Sequence, residues 1–246
     1  MFMMLERAAR CVGVLGIFAA LAACDRQTVD ATAQPYEIVT QMRPESLEAY
    51  MQTPRRAYDV CARVRAMQHL PPPPPLIPLP ADFAMKRSTY LSSASGYLIR
   101  HEEFNVVMED DCKTRIASSM TEAVMRGGQV YGQRREPGGR TEVSEPAPSG
   151  WDPAKAVTDE ASYTEKRTVD GVGMRCLSAP LRGGITLDKC AGNTNAGLLR
   201  DGAGDPIDLH AREMVPVLNL VVLTEPVSVQ IGKPVSPERI ALSGVK

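Results

Sequence analysis

Residues 71–80 read Pro71-Pro72-Pro73-Pro74-Pro75-Leu76-Ile77-Pro78-Leu79-Pro80. A chain carrying such a run cannot continue a helix or a central strand through it. Each proline lacks the backbone N–H, and its ring fixes φ near −65°. The run favours a stiff, extended polyproline II segment. Its P-x-x-P spacing also suits aromatic grooves, but a rigid spacer or an edge segment packed on its own domain is the plainer reading. Any helix before it must therefore stop by Leu70.

That helix has a clear signature. Thr53 suits an N-cap and Pro54 the first helical position. Ala57, Val60, Cys61, Val64 and Met67 follow at helical spacing. Pro44 to Met51 reads as a separate short helix. Residues 111–126 read as a third, with Asp111 as cap, Ile116, Met120, Ala123 and Val124 on one face, and Gly127 closing the end. Strands are expected over 89–100, 104–108 and 129–134, then over 163–176, 207–214, 217–223 and 227–231. Gly171-Val172-Gly173 reads as a turn between strands, and residues 201–206 as another turn. Residues 136–153 are rich in Pro, Gly, Ser and Glu, which suits a linker or long loop.

The N-terminus sets the compartment. Arg7 and Arg10 precede Cys11 to Ala23, an uncharged run of 13 residues. A bilayer core needs about 20, so the run suits the h-region of a secretory signal. It ends Leu21-Ala22-Ala23-Cys24, which resembles the lipobox of bacterial lipoproteins. The resemblance covers residues 1 to 25 only. It implies cleavage before Cys24, acylation of that thiol, and a chain held on a membrane and facing the periplasm. Asp25 resembles a signal for retention in the inner rather than the outer membrane. The alternatives are an ordinary signal peptide cut after Ala23, or an uncleaved anchor.

Export makes the remaining cysteines informative. Cys61, Cys112, Cys176 and Cys190 form an even set in an oxidising compartment, which implies two disulfides. Three pairings are possible. Cys61–Cys112 and Cys176–Cys190 keep each bridge within one half of the chain. The second closes a loop of about 15 residues, worth roughly 3 kcal/mol in the chain-entropy model. No C-x-x-C pair suggests redox or metal chemistry.

Chemical motifs are scarce. His69, His101 and His210 lie far apart in sequence. His101-Glu102-Glu103 suits a solvated turn, and Glu109-Asp110-Asp111 suits the start of a helix. Asp201, Asp205 and Asp208 lack the EF-hand pattern. No catalytic residue, metal ligand or cofactor is assigned. Without the signal, 26 basic residues face 28 acidic ones, so nothing attracts nucleic acid at long range.

These readings predict an α+β chain with helices mostly in the first half, strands mostly in the second, and a mainly β fold as the variant. Residues 1–23 form the signal and 24–43 a flexible tether. Residues 44–135 form a mixed part, 136–160 a linker or long loop, and 161–246 a β-rich part. The expected function is a lipid-anchored binding or assembly component with an envelope protein as partner. An envelope enzyme acting on a wall or lipid substrate, or a structural envelope protein, is the alternative.

Overall fold

A computed structural model describes residues 34–149 and 153–244. It corrects the fold class. The chain is mostly antiparallel β-sheet, with 49% strand against 17% helix. It opens with β1 (Tyr36–Pro44), α1 (Leu47–Met67), β2 (Lys86–Ser93), β3 (Gly96–Met108), β4 (Thr114–Arg126) and β5 (Gln129–Arg135). The short β6 (Thr141–Val143) and β7 (Ala147–Pro148) precede α2 (Pro153–Ser162). The remainder is β8 (Glu165–Val169), β9 (Val172–Cys176), β10 (Thr186–Thr194), β11 (Gly197–Leu198), β12 (Asp208–Val215) and β13 (Leu220–Ile231).

The strands form one sheet in the order β6-β5-β4-β3-β2-β1-β13-β12-β10-β9-β8, with β7 paired to β5 and β11 to β10. The first half of the chain walks outward from β1 to one edge. The second half starts at the other edge and walks back to β1. Strands are thus as abundant in the first half as in the second.

Residues 36–43, expected within the tether, belong to this central strand. Both hydrogen-bonding edges of β1 are occupied, by β2 and β13. Tyr36, Ile38 and Thr40 alternate inward along it.

Residues 114–126 were expected to be helical, and their apolar spacing fits a helix. They pair instead along the whole of β3, from Met108↔Thr114 to Tyr97↔Met125. Long-range pairing overrides the local pattern. Gly127, expected to end a helix, turns a hairpin instead. Gly127 and Gly128 both have positive φ, at 59° and 75°, as a two-residue type I′ turn requires. The two helices expected at 44–51 and from 53 onward are one. Ser46 caps it, its Oγ accepting from the Ala49 N–H at 3.1 Å, and it continues through Pro54. The expected 136–160 linker contains β6, β7 and most of α2. Residues 163–176 form the β8–β9 hairpin rather than one strand, with Asp170 and Gly171 at its positive-φ turn.

The sheet is strongly coiled. Met174 on β9 shares a cluster with Tyr36 and Ile38 on β1, although β13, β12 and β10 intervene in the sheet. The 201–205 turn closes the coil by pressing onto β3 and β4. A Cβ on Gly202 would come within 2.7 Å of the Met125 sulfur and 2.8 Å of the Tyr97 Cβ, so glycine alone fits there.

A second cluster joins Leu91, Leu98 and Val124 to Val235 and Ile240 of the C-terminal segment. Beside it lies Glu122, whose side chain is fully buried. Its carboxylate accepts from Arg100 Nε (2.5 Å), Ser243 Oγ (2.7 Å), the Ser243 N–H (2.8 Å) and Gln133 Nε2. Burial alone would raise its pKa. The Ser243 bonds and Arg100 outweigh burial and hold it below the ordinary carboxylate value. The charge therefore clamps the C-terminal segment over β4 and β5.

Removing one partner from a buried charge network costs several kcal/mol. With Arg100 partly in solvent, Glu122→Ala is expected to lower stability by about 3 kcal/mol in urea unfolding. It should also expose residues 236–244 to proteolysis. Because the folded pKa is depressed, the contribution is full above the unfolded value of about 4.3 and lost as pH falls through the folded one. A change below about 1 kcal/mol would refute the clamp.

Candidate functional site: a helical arm at one end of the sheet

The strand register fixes two ends. Tyr36 pairs with Ile231 and Ser92 at one, and Pro44 with Val222 at the other. The β3–β4 turn, the β12–β13 turn and the loop between β9 and β10 all lie at the Pro44 end.

α1 leaves from this end. Tyr50 Oη lies 3.4 Å from the Val106 N–H on β3, and its ring meets Phe83 at 5.2 Å between centroids. Eleven residues later, Cys61 is bonded to Cys112 in the β3–β4 turn. The helix therefore runs along β3 towards that turn. It continues for six residues past Cys61, about 9 Å. The polyproline segment returns beside it. Arg65 Nε and Nη2 each donate to the Pro71 carbonyl at 3.2 Å, and Tyr58 Oη donates to the Pro74 carbonyl at 2.8 Å. The Ile77 N–H reaches Thr114 Oγ1 at 2.9 Å. Helix and polyproline together make an arm pinned at both flanks.

An open groove of about 630 Å³ lies between the two. Leu47, Met51, Tyr58, Leu76, Ile77 and Leu79 line it, with Glu48, Arg55 and Asp59 adding charge. Apart from Cys61, the helix residues that signalled α1 in the sequence are not its packed face. Ala57, Val60, Val64 and Met67 are exposed, Met67 by 73%. The exposed apolar side chains gather at this end of the molecule. Val60, Val64, Met67, Leu70, Met108, Leu181, Ile185, Val217 and Leu218 belong to it, against Val143, Val169 and Val227 elsewhere. Val217, at the tip of the β12–β13 turn, is 95% exposed.

Both disulfides join the cysteines that share a half of the chain. Cys61–Cys112 fastens the arm. Cys176–Cys190 links directly opposite residues of β9 and β10. Cys24 lies outside the described residues.

The three histidines stay apart. His69 lies two residues past the end of α1, with φ at +56°. His210, on β12, places Nε2 3.5 Å from Asp188 Oδ2, beside Arg167 and Arg182. His101 Nδ1 lies 2.9 Å from Ser88 Oγ on β2, its ring edge-on to Tyr90. Burial, with Lys86 nearby, lowers the His101 pKa to about 4. Glu102 follows it along β3 rather than in a turn. Glu109 pairs with Arg115, and Asp111 Oδ1 accepts from the Lys113 N–H, so these acids shape the β3–β4 turn.

Asp201 Oδ1 accepts from the N–H groups of Ala203 and Asp205, closing its own turn. Asp208 instead pairs with Lys189 at 2.9 Å. Its other oxygen is buried without a hydrogen-bond partner. Burial raises its pKa to about 6, against the pull of Lys189 and with the push of Glu213 and Asp205. Among the described residues, no three metal-ligating side chains converge.

Replacing both Cys61 and Cys112 by Ser is expected to cost about 2–4 kcal/mol. Hydrogen exchange should quicken over 47–80 and stay slow in β12 and β13; uniform loss of protection would contradict a local fastening. By NMR, the His101 ring should remain neutral at pH 5. Its contribution to stability is full above the unfolded value of about 6.5 and lost as pH falls towards 4. Titration near 6.5 would show the ring to be solvated.

The chain matches no protein-family model, and neither a curated protein nor a solved structure is significantly similar to it.

Proposed function

We propose that this chain is a bacterial envelope lipoprotein, held through acylated Cys24 on the periplasmic face of the inner membrane, that docks onto another envelope component. The signal ending in Leu21-Ala22-Ala23-Cys24 supports the anchor. One structural observation carries the docking reading. The described chain begins at the Tyr36 end of the sheet, while the exposed apolar side chains gather at the Pro44 end. A tether on the first end leaves the second free for a partner. Soluble monomers rarely leave large apolar patches uncovered, and such patches mark interaction sites.

Intact mass of protein from its native membrane, with and without reduction, tests the anchor. Cleavage before Cys24, added acyl mass and a gain of about 4 Da on reducing two disulfides are expected. A photo-crosslinking residue at Val217, at the Pro44 end, should then yield one reproducible adduct in intact envelopes. The same residue at Val169, near the opposite end of β8, should yield none. A chain retaining residues 1–23 would overturn the anchor. Equal labelling from both positions would overturn docking through the Pro44 end.

A further inference from the structure

Ala57, Val60, Val64 and Met67 are spaced by three, four and three residues. That is the spacing of a two-helix seam, in which apolar side chains repeat every 3.5 residues on average. All four are exposed. They span about 15 Å of α1, roughly three turns. The packed face of the helix lies elsewhere, on Met51, Tyr58 and Cys61, which meet the groove and the disulfide. The seam is thus free of both the sheet and the polyproline segment, and Cys61–Cys112 holds it still.

Its charge is one-sided. Arg56 and Arg63 stand immediately before Ala57 and Val64, the flanking positions where charge selects a partner helix. Arg63 Nε bonds only the Asp59 carbonyl of its own helix, at 3.3 Å. Among the described residues neither guanidinium is in an ion pair.

We propose that this stripe is one half of a two-helix seam, and that its other half is an amphipathic helix of a partner protein with acidic residues facing Arg56 and Arg63. Charge disfavours the other occupants. In an antiparallel pair of this chain, setting Val60 on Val64 brings Arg63 against its own copy. A parallel pair sets the arginines against Cys61 and Gln68, which carry no charge. An anionic lipid surface would meet Asp59 and the acids at 109–111, beside the Cys61–Cys112 bridge. The seam deepens the docking reading above and rests on it for location only.

The test uses the full chain from its membrane, held in lipid nanodiscs, and two labelled three-heptad peptides. Both carry Leu at the seam positions; one has Glu and the other Lys at the flanks. The acidic peptide is expected to bind saturably and at least about tenfold more tightly, with affinity falling as salt rises. Arg56→Glu with Arg63→Glu should invert the preference. Val64→Asp should abolish binding of both peptides. Arg87→Glu, at an exposed position on β2, should change nothing.

Intact disulfides and an unchanged melting temperature confirm that each variant folds. Equal binding of the two peptides, or binding that survives Val64→Asp, overturns the proposal. So does dimerisation, or binding to phosphatidylglycerol vesicles, that Val64→Asp removes. If both peptides fail while Val217 still crosslinks, docking stands and the seam falls.

Discussion

The sheet depends on the pairing of β1 with β13. β1 lies at the centre, and its two neighbours come from different halves of the chain. β2 follows it after the helical arm, whereas β13 arrives nearly two hundred residues later. Among the described strands, those of the second half pair with those of the first only through this ladder. Pro226 lies within it, yet cannot donate to a ladder bond. The register shifts there, with Val39 opposite Ser228 and Thr40 opposite Pro226. Val227 is the extra residue, and it is 52% exposed. The bulge accommodates the proline and adds local twist, which helps to coil the sheet. Such non-local pairing is slow to form, so fast local hairpins on either side of β1 are an advantage.

Of those hairpins the sequence showed only parts. Gly171 marked its turn correctly, and residues 129–134 read as the strand they are. The misreadings have physical causes. β4 offers helical spacing and strand pairing at once, and only β3, through twelve paired positions, decides between them. β1 was hidden because Glu37, Thr40, Gln41 and Arg43 break its apolar pattern. Glu37 is paired with Arg239, and Arg43 with Glu225, both contributed by distant segments. A strand whose polar residues are matched by the far end of the chain looks like a tether when read locally. The disulfides were legible for a different reason: four cysteines implied two bridges, and of the three possible pairings the one that keeps each bridge within a half of the chain is the one formed.

Covalent and ionic ties supplement the apolar packing. Aromatic residues make up only 5% of the chain, and the packed clusters rest on Ile, Leu, Val and Met with a few tyrosines. Cys176–Cys190 reinforces the narrowing side of the sheet, beyond which only β8 follows. Glu160 serves α2 in the same way, accepting from the Leu198 N–H and pairing with Arg175. Glu122 holds the last described residues. The last two ties join peripheral elements, α2 and the C-terminal segment, to the coiled sheet.

The candidate site was only half legible. The apolar spacing of α1 identified a helix but not which side of it meets the protein. Cys61 decides that, because its bond to Cys112 turns the neighbouring face inward and leaves Val60, Val64 and Met67 outward. The polyproline run contributes by what it blocks. Beside the helix, it covers the flank bearing Tyr58 and Arg65, and one apolar stripe is left. A rigid sheet about 27 Å long along β1 separates this stripe from the chain's entry. Nine residues lie between Cys24 and the first described residue, and the ten steps across them reach at most about 35 Å. Under the proposed anchor, that length lets the Pro44 end face away from the membrane without detaching. An arm held by a disulfide at one end of such a sheet presents its stripe in a fixed direction, and that direction is set by β1.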